Sequence, residues 1–256
     1  MNISKNITQG HYYRKQIGSP SWLISWSHAS RFRKGIALAK PFAGLRLLDY
    51  GCGDGTFPAM LAAQTCRPEL ILGADLDDGQ VNDCSSRLGN GGTLRFCRID
   101  RLIPDGFARS FDVIFCMEVL EHVVDLEPVF QHWKQLAKPG ASIIVSVPVE
   151  TGLALMVKQT ARMVAGWRGI GDYPGSVPYT WTEFGRSVFA GEQQHIIRPV
   201  HGVDRGSPGY CHKGFNWQWL AGQLRQHFMV DRVVSSPVTW FPPGLGSQVW
   251  FVMRVG

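Results

Sequence analysis

The chain contains no apolar run of the ~18 residues a helix needs to cross a bilayer, no Cys-x-x-Cys pair and no low-complexity tract. The first absence argues against a membrane-spanning protein. The second removes the usual zinc and redox signatures. The six cysteines (Cys52, Cys66, Cys84, Cys97, Cys116 and Cys211) are scattered, several of them inside apolar segments, and form no disulfide framework. Reduced thiols in a cytoplasmic setting are the simplest expectation. Residues 1–16 are polar and lack the apolar centre of a secretion signal, so export is not expected. Charge is also sparse, at 18% of residues with a net value of +6. No basic tail carries that excess. Its densest group is Arg31, Arg33 and Lys34, which argues against a nucleic-acid partner.

What is present is a globular balance: 256 residues, 45% of them hydrophobic, enough for one large domain carrying an insertion. Between residues 45 and 147, strand-length apolar runs alternate with helix-length segments. The runs are Leu45–Tyr50, Leu70–Asp75, Leu94–Ile99, Phe111–Met117 and Ser142–Val147. Runs so continuously apolar belong to a sheet covered on both faces, and the alternation implies parallel strands with right-handed crossovers. The expected fold is therefore a doubly wound α/β sheet. Near the end, Phe215–Phe228 places Trp217, Leu220, Ala221, Leu224 and Phe228 on one helical face, with Asn216 as N-cap. Two further strands, Met229–Ser235 and Gln248–Val255, follow without an intervening helix and can pair antiparallel.

The segment from Thr151 to Tyr210 is too long for a simple connection. Its first part, Leu153–Trp167, aligns Leu153, Met156, Val157, Met163, Val164 and Trp167 in an apolar stripe, with Lys158 and Arg162 opposite. Two readings stay open. The helix packs on the core as part of a lid, or it touches a membrane through residues 153–168, aided by Lys158, Arg162 and Arg168. The second part supplies Tyr173, Tyr179, Trp181, Phe184 and Phe189 for an apolar or ring-shaped acceptor, and His195, His201, Asp204 and Arg205.

The chemistry concentrates in Asp49-Tyr50-Gly51-Cys52-Gly53-Asp54-Gly55, after the first strand. In an open parallel sheet, ligands bind beyond the carboxyl ends of the strands, and glycines there let the backbone turn sharply and approach the ligand. A dinucleotide site needs Gly-x-Gly-x-x-Gly. Here the third glycine comes one residue early, Thr56 holds the sixth position, and Asp49 would repel a pyrophosphate while suiting a ligand with an amino group.

The run LLDYGCGDGTF resembles the first motif of class I S-adenosylmethionine-dependent methyltransferases. ILGAD, CRID, FDVIFCMEVLEHV and LAKPGASIIVSVP resemble that family's later motifs in order, over roughly residues 46–148. The resemblance implies a seven-stranded Rossmann-like sheet with its last strand antiparallel and a lid inserted after the fifth strand. It also implies S-adenosyl-L-methionine as cofactor. The residues it places nearest that cofactor are Asp49, Gly51, Cys52, Gly53, Asp75, Leu76, Asp100, Arg101 and Met117, with Asp75 on the ribose and Asp100 near the adenine. Arg31, in an amino-terminal helix, is the candidate for the methionyl carboxylate, with Tyr12 and Tyr13 able to close over the pocket. The implied organisation is a cofactor-covering segment (1–44), a cofactor-binding core (45–150), an acceptor-site lid (151–210) and a completing helix and two strands (211–256).

Methyl transfer from S-adenosylmethionine to a small-molecule, lipid-linked or saccharide acceptor, at oxygen, is the expected reaction. His122, His212 and His201 are the candidate bases, because imidazole titrates near neutrality. Glu118, Glu121 and His122 share a helix-like i, i+3, i+4 spacing that also occurs as a divalent-metal site in some RNA 2′-O-methyltransferases and some quinone O-methyltransferases. No metal is expected here without a further His. The alternatives are an RNA 2′-O-methyltransferase with a Glu118, Glu121 and His122 metal site, and a non-catalytic cofactor-binding subunit. No Asn-Pro-Pro-Tyr-like tetrapeptide follows the fourth strand, which argues against nucleobase amines as acceptors.

Overall fold

The computed structural model describes residues 6–19, 22–167, 179–202 and 208–256, with the backbone alone at 16, 22–24 and 161–167. The expected residues Tyr173, Asp204, Arg205 and Arg168, and the side chains of Arg162, Met163, Val164 and Trp167, lie outside what is described. A π-helical turn (Tyr13–Ile17) precedes helix α1 (Trp22–Ala39). There follow β1 (Arg46–Tyr50), α2 (Thr56–Ala62), β2 (Leu70–Asp75), α3 (Asp78–Leu88), β3 (Leu94–Arg98), β4 (Phe111–Met117), α4 (Glu127–Leu136) and β5 (Ala137–Pro148). The chain continues through α5 (Leu153–Trp167), α6 (Trp181–Val188), β6 (Val200–His201), β7 (Gly209–Tyr210), α7 (Trp217–His227), β8 (Met229–Ser236) and β9 (Gln248–Arg254). Seven strands form one sheet in the order β3-β2-β1-β4-β5-β9-β8, with the last strands antiparallel. β6 and β7 pair antiparallel as a separate ribbon. The doubly wound α/β sheet expected from the strand pattern is thus the observed fold.

The chain divides into two compact units. The first comprises Met1–Met117, Glu127–Val145 and Val252–Gly256. In it β1 lies between β2 and β4, parallel to both, so Asp49 stands opposite Gly73 on one side and Phe115 on the other. Leu47, Leu48, Ile71, Leu72, Phe115, Phe130 and Trp133 are fully buried there. That burial on both faces is why β1, β2 and β4 read as continuous apolar runs. Gly73 is dictated by packing: a Cβ would stand 2.7 Å from the Phe96 ring and 3.1 Å from Cys52 Sγ.

The second unit comprises Glu118–Leu126 and Ser146–Phe251. Asn216 caps α7 as expected, accepting the Gln218 N–H, and Leu220, Ala221 and Leu224 face the interior. Thr180 and Glu183 form a reciprocal capping box on α6. Helix α5 turns out differently from a plain lid packed by its apolar stripe. Ala154 and Leu155 are buried, whereas Leu153, Met156 and Val157 are exposed, Val157 at 71%. Lys158 does not sit on an outer polar face. Its ammonium donates to the Val149 and Ser247 carbonyls and pairs with buried Glu150 at 3.0 Å.

Candidate active site

The glycine-rich turn runs from the end of β1 into α2. Gly51, Gly53 and Gly55 all have positive φ (81°, 53° and 70°), a region L-residues avoid. Gly51 and Cys52 donate their N–H groups to the Ala74 carbonyl, binding the turn to the end of β2. Asp75 completes that link. One carboxylate oxygen accepts the Gly53 N–H at 2.9 Å and the other the Asp77 N–H at 3.1 Å. Nothing lies within 4 Å of where a Gly53 Cβ would stand, whereas a Cβ at Gly55 would meet Leu88, Cys84 and Phe96 at 2.8–3.0 Å. The turn is thus packed from behind at Gly55 and open at Gly53, which fits a ligand approached closely by backbone.

Asp49, 2% exposed, lies one strand over from this link. Burial first and the Asp75 charge second push its carboxyl up to about 8. A cation would reverse that preference, and an ammonium or sulfonium is such a cation. Cys52 and Cys84 both direct Sγ at the Gly53 carbonyl, at 3.8 and 3.3 Å. Met117 ends β4 half-buried, and Leu76 follows β2 with 62% exposure. Asp100 is engaged at the surface by Arg98, two hydrogen bonds of 2.9 Å each, which hold its carboxyl below the usual carboxylate range. Arg101 pairs with Asp105. Arg31 is 3% exposed, its guanidinium 5.2 Å from the Tyr12 ring and 5.4 Å from the Phe32 ring. All of these residues belong to the first unit.

The second unit carries a separate cluster. Glu118 takes a positive φ of 57° immediately after β4, its N–H bonded to the Ser146 carbonyl. Glu121 is fully buried, and His122 and His212 meet edge to face with ring centroids 4.5 Å apart. His212 Nδ1 lies 3.6 Å from Glu121 Oε1. His122 Nδ1 stands 2.8 Å from the Tyr210 carbonyl. A carbonyl only accepts, so Nδ1 is the donor of this contact, and in the neutral ring the lone pair is on Nε2. The His212 side chain is half exposed, and partial desolvation first and the neighbouring His122 second hold its imidazole below the usual range, which leaves it neutral at physiological pH. One ligand atom from each of Glu121, His122 and His212 falls within 4.8 Å of the others. His212 is the further histidine that the Glu-x-x-Glu-His spacing alone did not supply. His201 sits on β6, its backbone opposite Gly209, and is not part of that triad. His195 stacks on Trp219 instead, centroids 4.1 Å apart.

Sequence reasoning passed over Arg198. Its guanidinium bonds the Glu121 and Cys211 carbonyls at 2.7 Å each and lies 4.3 Å over the Tyr210 ring, tying both histidine-bearing segments together. No local pattern marks it. Asp54 and Arg87 were also missed as structural partners of the turn.

A parallel sheet with the last strands antiparallel, a positive-φ glycine turn after β1 and an acidic residue ending β2 define a cofactor-binding methyltransferase of the Rossmann-like type. Comparison with known proteins agrees. The family described as "Methyltransferase domain" matches residues 26–182. The ubiquinone biosynthesis O-methyltransferase of Chelativorans sp. (strain BNC1) is 33% identical over 203 residues, 75% of this chain and 72% of that protein. That of Ruegeria pomeroyi is 28% identical over 200 residues, 75% and 73% of the two chains. A crystal structure of an S-adenosylmethionine-dependent methyltransferase from Mesorhizobium loti shares the fold with a TM-score of 0.55 at 18% identity, covering 90% of this chain and 99% of that one. The chain belongs to the class I S-adenosylmethionine-dependent methyltransferases, and S-adenosyl-L-methionine is its cofactor.

Proposed function

We propose that this enzyme methylates a hydroxyl oxygen of a small, ring-bearing or lipid-linked acceptor, as the names of its ubiquinone-biosynthesis relatives suggest for those proteins. S-adenosylmethionine supplies an electrophilic methyl group on a sulfonium. In this reading Asp75 and the Gly51–Gly53 backbone hold the ribose side, and Leu76 and Met117 flank the cofactor. Asp49 faces the amino group and Arg31 the carboxylate. Asp100 and Arg101 line the adenine end, where the Asp100 carboxylate is shared with Arg98.

The acceptor hydroxyl oxygen forms its bond to the methyl carbon as the carbon–sulfur bond breaks. The hydroxyl proton passes to an imidazole, and S-adenosylhomocysteine and a methyl ether leave. The observation that carries this reading is the His122 Nδ1–Tyr210 contact, which makes Nδ1 the donor and so leaves Nε2 as the proton acceptor of the neutral ring. His212, neutral at physiological pH, is the second candidate base, and His201 a third on the neighbouring ribbon. The test is incubation with methyl-labelled cofactor and a catechol bearing an apolar chain. Label in an O-methyl ether supports the reading. Label only on nitrogen or carbon acceptors overturns it.

A second reading is favoured by the triad itself. One carboxylate and two imidazoles within 4.8 Å form a donor set suited to a borderline divalent ion such as Mn(II), Fe(II) or Zn(II). Such an ion would be held by Glu121, His122 and His212 and would lower the pKa of a bound hydroxyl. Full activity after exhaustive chelation removes this reading, and Mn(II) binding lost in His212→Ala supports it.

The membrane contact also belongs to this proposal. Leu153, Met156 and Val157 are exposed on α5, and Phe189, just past α6, is 85% exposed; the Gly152 N–H bonds the Ser187 carbonyl and so joins the start of α5 to the end of α6. These exposed apolar side chains would suit an enzyme collecting a lipid-linked acceptor from a bilayer.

A further inference from the structure

The amino-terminal segment is fastened to the glycine-rich turn by two side chains that the roles above do not use. Asp54, 8% exposed, receives three donors. One oxygen accepts the Tyr12 N–H at 2.7 Å, and the other accepts the Thr56 N–H at 3.1 Å and the Thr56 hydroxyl at 2.7 Å. Arg87 makes the second bridge from α3. Its guanidinium donates to the Asp54 carbonyl at 2.6 Å and to the Asn6 carbonyl at 3.1 Å, held in place by Asp83. Gly10 is required by this contact, since a Cβ there would stand 2.6 Å from Asp54 Oδ2. Fixing the backbone of Tyr12 fixes its ring, which meets Phe32 edge-on, approaches His28 Nδ1 with its hydroxyl at 3.4 Å and lies under the Arg31 guanidinium.

We propose that Asp54 and Arg87 are positioning residues that clamp residues 6–12 against the cofactor turn, so that Tyr12 and Arg31 close over bound S-adenosylmethionine and set its residence time. The physical reason is connectivity. Asp54 lies between Gly53 and Gly55, so the residues that would contact the cofactor and the segment that covers it share one carboxylate. A ligand that orders the turn strengthens the clamp, and an intact clamp slows the ligand's departure. A side chain that merely anchored a loose terminus would change the terminus and leave the ligand's kinetics alone.

The test uses the full chain and S-adenosylhomocysteine as probe. Asp54→Asn retains one acceptor oxygen for three donors. Gly10→Ala pushes on the same carboxylate from the segment side and leaves every residue of the turn unchanged. Stopped-flow displacement should show dissociation accelerated about tenfold or more in each. The double variant should fall well short of the product of the two effects, because both break one contact. Trypsin supplies the second readout, at exposed Arg14 and Lys15. S-adenosylhomocysteine should slow cleavage there in the wild type and no longer do so in either variant. Faster cleavage with dissociation within twofold of wild type would overturn the proposal, leaving the bridges as a tether only. So would an effect in Asp54→Asn that is absent in Gly10→Ala, which would confine it to the α2 end of the turn. Should Asp54→Asn fail to fold, Gly10→Ala and Arg87→Lys carry the same comparison.

Discussion

Gly53 donates its backbone N–H to the Asp75 carboxylate at 2.9 Å. This bond joins the turn after β1 to the end of β2, so the two strand ends that a doubly wound sheet presents to its ligand move as one piece. Its geometry depends on Gly55, which buries the rear of the turn. Gly55→Ala should destabilise the protein by about 1–3 kcal/mol, since the new methyl meets Leu88, Cys84 and Phe96 and the residue must keep a positive φ. Urea denaturation, read as a shift in midpoint at constant slope, checks this.

Asp49 makes the stability depend on pH. Its folded carboxyl, near 8, stays protonated where an unfolded Asp, near 3.8, has already lost its proton. The folded state therefore binds more protons between about pH 4 and 8, and its stability from this group falls as pH rises through that window. Asp49→Asn imitates the protonated form. Its stability relative to wild type should rise from pH 5 to pH 8 and level off above, measured as the difference between two denaturation series. A pH-independent difference would contradict the assignment.

His122→Ala should lower kcat by roughly 10²–10⁴-fold, with the affinity for S-adenosylhomocysteine little changed. The cofactor residues and the histidine cluster belong to different units of the chain. Steady-state kinetics alongside calorimetry separates the two quantities. A fall in cofactor affinity of the same size would remove His122 from the acceptor chemistry.

Much of the donor-side architecture was legible because it follows from local rules. Strands covered on both faces must be continuously apolar, and a turn at positive φ needs glycine, so β1, β2, β4 and the turn could be read directly. Asn216 was legible as a cap for the same reason. Arg198 and Asp54 were not, because Arg198 reaches the Glu121 carbonyl 77 residues away and Asp54 the Tyr12 N–H 42 residues away, and no pattern of the chain links those positions. Strand β5 begins at Ala137, five residues before the apolar run from Ser142, a start the apolar pattern hides because Pro139 and Gly140 are turn-forming residue types. The stripe on α5 was visible as periodicity, but periodicity says which residues share a face and not whether that face is covered. Lys158, read as outward, is drawn in by Glu150, a partner that itself had to be buried first.

The exposed apolar side chains of α5 make their own prediction. With vesicles of phosphatidylglycerol and phosphatidylcholine, the wild type should sediment and Val157→Glu should remain in the supernatant, with unchanged affinity for S-adenosylhomocysteine. Equal sedimentation of the two would place any membrane contact elsewhere.

The most direct test of the central claim is calorimetric titration with S-adenosylhomocysteine. The account predicts stoichiometric binding to the wild type. In Asp75→Ala, which loses the carboxylate that holds both Gly53 and Asp77, that binding should weaken by at least about tenfold, the size of one charge-assisted hydrogen bond. A wild-type protein that gives no binding heat, or an Asp75→Ala variant that binds as tightly as wild type, would contradict it.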